Sequence, residues 1–358
     1  MKGIIGEKIT KTKQGYMTYE DFIELALYYP AKGYYQKDKM KIGANGDFYT
    51  SVSVSSIFGE MIGKYLGECL KKHSLKPVIC ELGGGNGAMA SAVLKGISEL
   101  DETISENLIY YIVESSAYHR QLISERVESD RRVHILSSMD EIPRLEGIIF
   151  SNEFFDAFPV RVAVKEKNIW MEAVITLKDG ELTEDTRPIS DPSLQAYIEN
   201  EQLPDYINRV EYPAQIVNAY SLIANKLEKG MILTIDYGME REELYVPLRQ
   251  DGTLRGYAGH TLVDSVLENP GMTDITFTIN FSLLKELGTS LNLHVEYWDN
   301  QQNFLLDQGI LDELISHADS NPFSEVSKRN RAIRQLILGD GISDYFMVLV
   351  QSKHIKKP

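Results

Sequence analysis

The chain has 358 residues, of which 43% are hydrophobic and 25% are charged, a balance typical of soluble globular proteins. Its 52 acidic residues outnumber the 37 basic ones, and a net charge of −15 disfavours nucleic acid and anionic membrane faces as partners. Two cysteines imply no disulfide framework, and neither a signal-like apolar segment nor a membrane-length apolar run is present. We therefore expect no nucleic-acid partner, no membrane insertion and a cytoplasmic location.

The first 75 residues precede the predicted core. A threonine cap and an acidic first turn predict a helix over 18–27, and apolar residues at helical spacing predict another from about Ser55 to Lys71. The loop Gly46–Ser51 lies between them, and its aromatic and polar residues, with the charge of Asp47, suit a lid over a cofactor cleft. A simple connector is the alternative. We interpret residues 1–75 as a helical extension that carries this lid.

Residues 78–90 form the stretch around which the chain is organised. A short apolar run is followed by an acidic residue, a glycine cluster and then helix-forming residues. This pattern is typical of a buried parallel strand that leads into a helix. Glycines permit positive φ and let a ligand lie against the main chain, while the helix N-terminus offers unpaired N–H groups. The stretch therefore predicts a cofactor-binding loop.

Two cofactor classes fit this loop. Gly83-x-Gly85-x-x-Ala88 satisfies the dinucleotide fingerprint, so a nicotinamide cofactor stays open. Glu81, placed two residues before Gly83, and a further glycine at Gly87 instead give the usual pattern of S-adenosylmethionine (SAM) sites. A carboxylate beside the loop suits a cationic sulfonium and would repel a pyrophosphate. The loop therefore favours SAM.

A second acidic residue supports a nucleoside-binding role. The predicted strand 108–114 ends in Glu114, which comes 27 positions after Gly87 and leaves room for a helix and a turn. An acid at the end of the second strand is where ribose hydroxyls are accepted in the related dinucleotide fold. We therefore predict that Glu114 binds the cofactor ribose.

The rest of the chain predicts a parallel α/β sheet with insertions. Residues 160–213, which begin with antiparallel β-structure, and the long connection 238–285 are predicted insertions into a domain spanning 76–358. Two late strands would complete seven, one of them a reversed edge strand. The predicted strands are 78–83, 108–114, 132–137, 147–151, 231–236, 293–299 and 345–350.

A polar cluster follows the fourth strand, at the edge where ligands of such sheets bind. Asn152, Glu153 and Asp156 bring an amide and two carboxylates within five residues, among aromatic side chains that include Phe155. Carboxylates that contact a guanidinium would orient it and localise its charge for methyl transfer to nitrogen. Asn152, Glu153 and Asp156 are therefore the predicted catalytic residues. The alternative is that Asn152 caps a short helix and the two acids are solvated.

These motifs together resemble the MidA-type SAM-dependent methyltransferases, whose mitochondrial relatives are protein-arginine methyltransferases that assist respiratory complex I assembly. The resemblance spans nearly the whole chain. Its motifs are Gly46–Ser51 with Phe58-Gly59-Glu60, Glu81–Gly87, Asn152–Val160, Ile235-Asp236-Tyr237-Gly238, Gly252–Arg255 and Asn269-Pro270-Gly271 with Asp274-Ile275-Thr276.

The resemblance implies a Rossmann-like SAM methyltransferase fold, a SAM cofactor and a protein substrate of the respiratory-complex type. It leaves a homodimer open. For direct methyl transfer we expect no metal. The predicted cofactor contacts are Asp47, Thr50, Glu81, Gly83, Gly85, Gly87 and Glu114. The predicted substrate contacts are Phe155, Asp236, Tyr237, Arg255 and His260. The alternatives are that Asp236 caps the following turn and that Arg255 and His260 have surface or structural roles.

Two departures from the family pattern keep other functions open. Val52-Ser53 stands where the family commonly has Pro-Glu, and Asn280 stands where an acid often precedes the phenylalanine. Both bear on substrate choice rather than on cofactor binding. We therefore predict arginine methylation of a protein, with a different methyl acceptor, a non-catalytic assembly protein and an NAD-dependent oxidoreductase as alternatives.

Overall fold

The structure, a computed structural model, describes residues 1–37, 56–127, 130–259, 261–316, 321–338 and 345–355. Within these ranges the chain forms two compact units. The first unit comprises Met1–Lys39, Phe155–Ala219 and Met239–Leu283, and the second comprises Met40–Phe154, Tyr220–Gly238 and Leu284–Pro358, as far as these are described. In the described part of the chain, no helix is both long and apolar enough to cross a bilayer.

The strands and helices are numbered in chain order. The strands are β1 (Met17–Thr18), β2 (Val78–Leu82), β3 (Ile109–Val113), β4 (Val133–Leu136), β5 (Leu145–Asn152), β6 (Arg161–Glu166), β7 (Ile169–Lys178), β8 (Glu181–Pro188), β9 (Arg209–Tyr212), β10 (Leu227–Met239), β11 (Arg255–Ala258), β12 (Thr261–Leu262), β13 (Asp274–Thr276), β14 (Ile279–Asn280), β15 (His294–Asn300) and β16 (Phe346–Lys353). The helices are α1 (Lys2–Lys11), α2 (Tyr19–Tyr28), α3 (Ser56–Lys72), α4 (Ala88–Leu100), α5 (Glu102–Asn107), α6 (Ala117–Val127), α7 (Pro192–Glu201), α8 (Ala214–Lys226), α9 (Arg241–Leu244), α10 (Phe281–Ser290), α11 (Gln301–Asp307) and α12 (Glu325–Leu338).

The second unit is built on a sheet in which seven strands follow the order β15-β16-β10-β5-β2-β3-β4, and an eighth strand, β14, pairs with β10 off this path. Strands β10, β5, β2, β3 and β4 pair in parallel, as the alternation of apolar runs and helices predicts. The α/β prediction and the mostly parallel sheet are confirmed, and the seven predicted strands form this path. The reversed strand β16, however, lies between β10 and β15 and is therefore not an edge strand. Its continuous run Val348-Leu349-Val350 is buried on both faces, as an internal strand requires.

Helix α3 packs closely on α4 in the second unit. Gly59, Gly63 and Gly67 recur every four residues along one side of α3, where they form a stripe without side chains. A Cβ added at Gly63 would lie 2.3 Å from the carbonyl oxygen of Val93 in α4. The close approach of the two helices therefore depends on these glycines. Although α3 belongs to the predicted N-terminal extension, its apolar side joins the core of the sheet.

The first unit contains antiparallel β-structure, as predicted for the region after the fourth strand. Strands β6, β7 and β8 form two successive hairpins. Their turns are Lys167-Asn168, with φ of +49° and +67°, and Asp179-Gly180, with φ of +51° and +81°. Positive φ at both central residues is the conformation that matches the twist of a two-residue hairpin. A buried cluster on α7, including Leu194 and Ile198, forms part of the apolar core of this unit.

Candidate cofactor site and active site

The parallel sheet of the second unit has a switch point between β2 and β5. From β2 the chain proceeds to β3 and then β4 on one side, whereas β5 and β10 lie on the other side of β2. In open α/β sheets, ligands bind outside the carboxyl ends of the strands at such a point. The glycine loop between β2 and α4 begins there, and it is therefore the expected cofactor site of this fold.

The backbone of the loop requires glycine. Gly83, Gly85 and Gly87 have φ of +76°, +51° and +77°, and Gly87 is the N-cap of α4. The amides of Gly83 and Gly84 both donate to the carbonyl of Val113 at the end of β3, at 2.9 and 3.2 Å. The loop is thus fixed to the neighbouring strand while it opens helix α4.

Glu114 lies directly after β3 and contacts the same loop. One carboxylate oxygen accepts the Gly85 N–H at 2.9 Å, and the other accepts the Ser116 N–H at 2.7 Å. The imidazole Nδ1 of His119 lies 3.7 Å from the first of these oxygens. Since a carboxylate has about four acceptor sites, capacity remains for hydroxyl donors. This geometry fits the predicted ribose contact.

Glu81 is placed differently from Glu114. It lies in the middle of the sheet, 2% exposed, and its carboxyl accepts the Tyr110 hydroxyl at 2.7 Å. Burial raises its pKa to about 8, although the Tyr110 bond acts in the opposite direction. The group is therefore mainly neutral at pH 7, and its role as a charged cofactor contact stays a prediction.

Asn152 and Glu153 end the central strand β5. Glu153 has φ of +50°, an uncommon conformation for a residue with a side chain, and its N–H donates to the Ile235 carbonyl at 2.9 Å. The Asn152 amide donates to the Glu153 carboxylate at 3.2 Å. Asn152 Oδ1 is buried and accepts no hydrogen bond from any residue that the structure describes. An unpaired buried acceptor beside a carboxylate is suited to a ligand that donates N–H groups.

Asp236 and Tyr237 lie at the end of β10, beside β5. Asp236 is fully buried, and its two oxygens accept the N–H groups of Phe154 at 3.1 Å and Tyr237 at 2.9 Å. The ring of Tyr237 lies about 6 Å, between centroids, from those of Tyr345 and Phe346. The carboxylate predicted to contact substrate therefore binds one main-chain amide of the turn that carries Glu153 and one of its own strand.

The first unit contains the other predicted residues that the structure describes. Asp156 is partly buried and accepts the Thr276 hydroxyl at 3.0 Å. Burial raises its pKa to about 6, against the opposing effects of Thr276 and backbone hydrogen bonds. Phe155 is buried, and the Arg255 guanidinium donates to the Thr253 carbonyl at 3.2 Å and the Thr278 hydroxyl at 3.3 Å.

Three predicted site residues, Asp47, Thr50 and His260, lie outside the described residues, as do Val52 and Ser53. Sequence reasoning in turn missed the partners that hold the site residues. Tyr110 beside Glu81, Ser116 beside Glu114 and Thr276 beside Asp156 are brought in by pairing between strands or by turns. Only Ser116 was within reach of sequence reasoning, because it follows Glu114 by two residues.

The fold and the loop define a class. A switch-point loop with three positive-φ glycines and an adjacent acid after β3 fits an adenosine-type cofactor, and the unpaired Asn152 acceptor adds a polar contact beside it. The Gly83–Gly87 backbone and Glu114 would hold SAM, which supplies an electrophilic methyl group when bound. These features are those of a SAM-dependent methyltransferase.

Comparisons with known proteins agree with this class. Residues 61–297 match the family model described as "Putative S-adenosyl-L-methionine-dependent methyltransferase". The chain belongs to this family, because the match covers well over half of its length. It is a SAM-dependent methyltransferase of the MidA type with a Rossmann-like fold, and its cofactor is SAM, as the sequence predicts.

Named relatives are similar at modest identity. Protein arginine methyltransferase NDUFAF7, mitochondrial, of Danio rerio is 28% identical over 310 residues, which cover 79% of this chain and 70% of the relative. The Homo sapiens protein of that name is 27% identical over 301 residues, covering 76% and 66%. A crystal structure from Burkholderia thailandensis, bound to S-adenosyl-homocysteine, is 25% identical with a TM-score of 0.87 and covers 99% of this chain and 92% of that one.

Proposed function

We propose that this methyltransferase transfers methyl groups to arginine side chains of a protein partner. The names of its relatives from Danio rerio and Homo sapiens, both protein arginine methyltransferases, support the proposal. The net charge of −15 is compatible with a cationic acceptor. The polar residues at the end of β5 are the chemical reason to expect a guanidinium acceptor.

The observation that carries the proposal is the pair formed by Asn152 Oδ1 and the Glu153 carboxylate. A guanidinium carries five N–H donors and no acceptor, so it binds best where acceptors are available. The buried Asn152 oxygen has no donor among the described residues, and the Glu153 carboxylate lies beside its amide at 3.2 Å. A carboxylate held against a guanidinium fixes its plane and draws positive charge toward one nitrogen, which leaves the other nitrogen more nucleophilic.

The test uses methyl-labelled SAM and an extract of cells that lack this protein, so that acceptor sites are unmethylated. The unaltered chain is expected to label a defined protein, and hydrolysis of that protein to release labelled methylarginine. Glu153→Gln keeps the shape of the side chain but removes its charge, and we expect labelling to fall about 100-fold or more. Its affinity for S-adenosylhomocysteine, measured by calorimetry, is expected to stay within about threefold.

Glu146→Gln is the matched control. Glu146 lies at the opposite end of the same strand and binds Lys229 at 2.9 Å, so its labelling activity is expected to equal that of the unaltered chain. Label in another amino acid or in a small molecule would indicate a different acceptor. Cofactor binding without any labelled product would indicate the assembly-protein alternative.

We also propose a respiratory-complex subunit as the partner, on the resemblance to the MidA-type proteins, and a cytoplasmic location for this chain. The relatives named above are mitochondrial. Cys69 and Cys80 are buried and form no disulfide, which supports a reducing compartment. Mass spectrometry of the labelled protein would identify the partner, cell fractionation would test the location, and light scattering would show whether the chain forms a homodimer.

A further inference from the structure

The turn after β5 is held in a strained conformation. Glu153 has φ of +50°, whereas a residue with a side chain ordinarily avoids positive φ. Such a conformation persists only where the surrounding structure imposes it, and it is often found at functional sites. The groups that impose it on Glu153 are therefore part of the way the site works.

Two hydrogen bonds from the end of β10 fix this turn on either side of the Glu153 carbonyl. The Glu153 N–H donates to the Ile235 carbonyl at 2.9 Å, in line with the parallel pairing of Ile235 with Asn152. The next N–H, that of Phe154, donates to Asp236 Oδ2 at 3.1 Å. The first bond continues the sheet, but the second depends on a side chain.

Asp236 is well placed to act as a rigid anchor. It is fully buried, and its second oxygen accepts the Tyr237 N–H at 2.9 Å, so the carboxylate is tied to its own strand as well as to the turn. Hydrogen bonds from backbone N–H groups to a carboxylate are among the stronger ones in proteins. Both oxygens of Asp236 are thus directed at main-chain amides.

We propose that Asp236 is a positioning residue, which holds Glu153 in its left-handed conformation through the Phe154 N–H and so keeps the Glu153 carboxylate beside Asn152. This role differs from the substrate contact that the sequence predicts for Asp236. It rests on the proposed function only in that Glu153 acts on the methyl acceptor. The anchoring itself is a property of the fold.

Asp236→Asn tests the anchor, because an amide has one acceptor oxygen and cannot accept both N–H groups. Deuterium exchange in a peptide covering residues 150–158 is expected to become at least about tenfold faster. In the labelling assay, kcat is expected to fall about tenfold or more, with KM for the acceptor and the affinity for S-adenosylhomocysteine within about threefold. A substrate contact would instead raise KM.

Asp101→Asn is the matched control, since Asp101 also accepts a backbone N–H, that of Ile104 at 3.0 Å, at the start of α5. It is expected to lower thermal stability and to leave exchange in residues 150–158 unchanged.

A double-mutant cycle of melting temperatures adds a second measurement. Glu153→Gly is expected to raise the melting temperature by roughly 2 °C in the unaltered chain, because glycine adopts positive φ without strain.

The same substitution is expected to give a clearly smaller rise in the Asp236→Asn background, where the turn is free to relax. Unchanged exchange in Asp236→Asn, or an equal rise in both backgrounds, would overturn the proposal. Exchange and melting require no methyl acceptor. The absence of methylarginine would therefore contradict the proposed function and leave this inference standing.

Discussion

Each unit contains a glycine turn that is clamped by a buried glutamate, and the two clamps differ. In the second unit, Glu114 accepts one N–H on each oxygen, from Gly85 and Ser116. In the first unit, Glu211 on β9 holds the turn that follows Gly252, whose φ is +83°. Its two oxygens accept the Thr253 N–H, the Thr253 hydroxyl and the Leu254 N–H, at 3.1 to 3.3 Å.

The difference separates a clamp whose acceptor sites are used by the protein from one that keeps acceptor capacity for a ligand. Glu211 is enclosed by its turn, since a Cβ added at Gly252 would lie 2.4 Å from one of its oxygens. Its acceptor sites are used by the protein, and it has little to offer a ligand. Glu114 keeps acceptor capacity at the switch point of the sheet, where a cofactor is expected. We therefore expect these similar residues in similar turns to have different roles, according to how many of their acceptor sites the protein itself occupies.

The largest expected effect is on the pH dependence of the free energy of unfolding, and it comes from Glu81, a third buried glutamate, which clamps no turn. The pKa of Glu81 is raised to about 8 from 4.5, so the folded chain retains a proton that the unfolded chain releases. The free energy of unfolding should therefore fall as pH rises from about 5 to about 8, and about 1.4 kcal/mol per pKa unit gives a fall on the order of 3–4 kcal/mol. Glu81→Gln should remove this component, as measured by urea unfolding across that range.

Glu106→Gln, which alters an exposed carboxylate on α5, is the control for this measurement. It should retain the pH dependence of the unaltered chain. If Glu81→Gln retained that dependence too, the buried carboxyl would not be its source. The affinity of Glu81→Gln for S-adenosylhomocysteine would also test the predicted cofactor role of Glu81.

Glu114→Gln is expected to have the next largest effect, which is a loss of affinity for the cofactor, and it tests the clamp formed by Glu114. An amide in place of the carboxylate loses a charged acceptor for the cofactor ribose, which is worth about 1.5–3 kcal/mol, or roughly 10- to 100-fold in affinity. Calorimetric titration with S-adenosylhomocysteine should show this loss. An affinity within about twofold of the unaltered chain would remove Glu114 from the cofactor contacts.

Glu211→Gln is the matched variant on the clamp formed by Glu211 and should have the smallest effect on binding. Its single acceptor oxygen leaves N–H or hydroxyl donors of Thr253 and Leu254 unpaired, so we expect a loss of about 1–2 kcal/mol in the free energy of unfolding. The affinity for S-adenosylhomocysteine should stay within about twofold, because these hydrogen bonds lie on the 252–254 turn. A loss as large as that of Glu114→Gln would contradict the distinction between the two clamps.

Local patterns predicted the parts of the fold that depend on neighbouring residues. The strand, loop and helix around the glycine cluster were predictable because apolar runs and positive-φ glycines act over a few positions. The two-residue turns at Lys167-Asn168 and Asp179-Gly180 were predictable for the same reason. The position of β16 was not, because an apolar run shows that a strand is buried but not which strands lie beside it.

The sequence by itself determined the class of protein, the cofactor and the acids at the strand ends, since each follows from the order of short motifs along the chain. Tertiary structure decided what those acids do. Glu81 turned out to be bonded to Tyr110, Asp236 to the amide of Phe154 and Asp156 to Thr276, which is 120 positions away. The role of a carboxylate depends on the donors around it. Strand pairing brings those donors to Glu81 and Asp236, and packing of β13 against the segment after β5 brings Thr276 to Asp156.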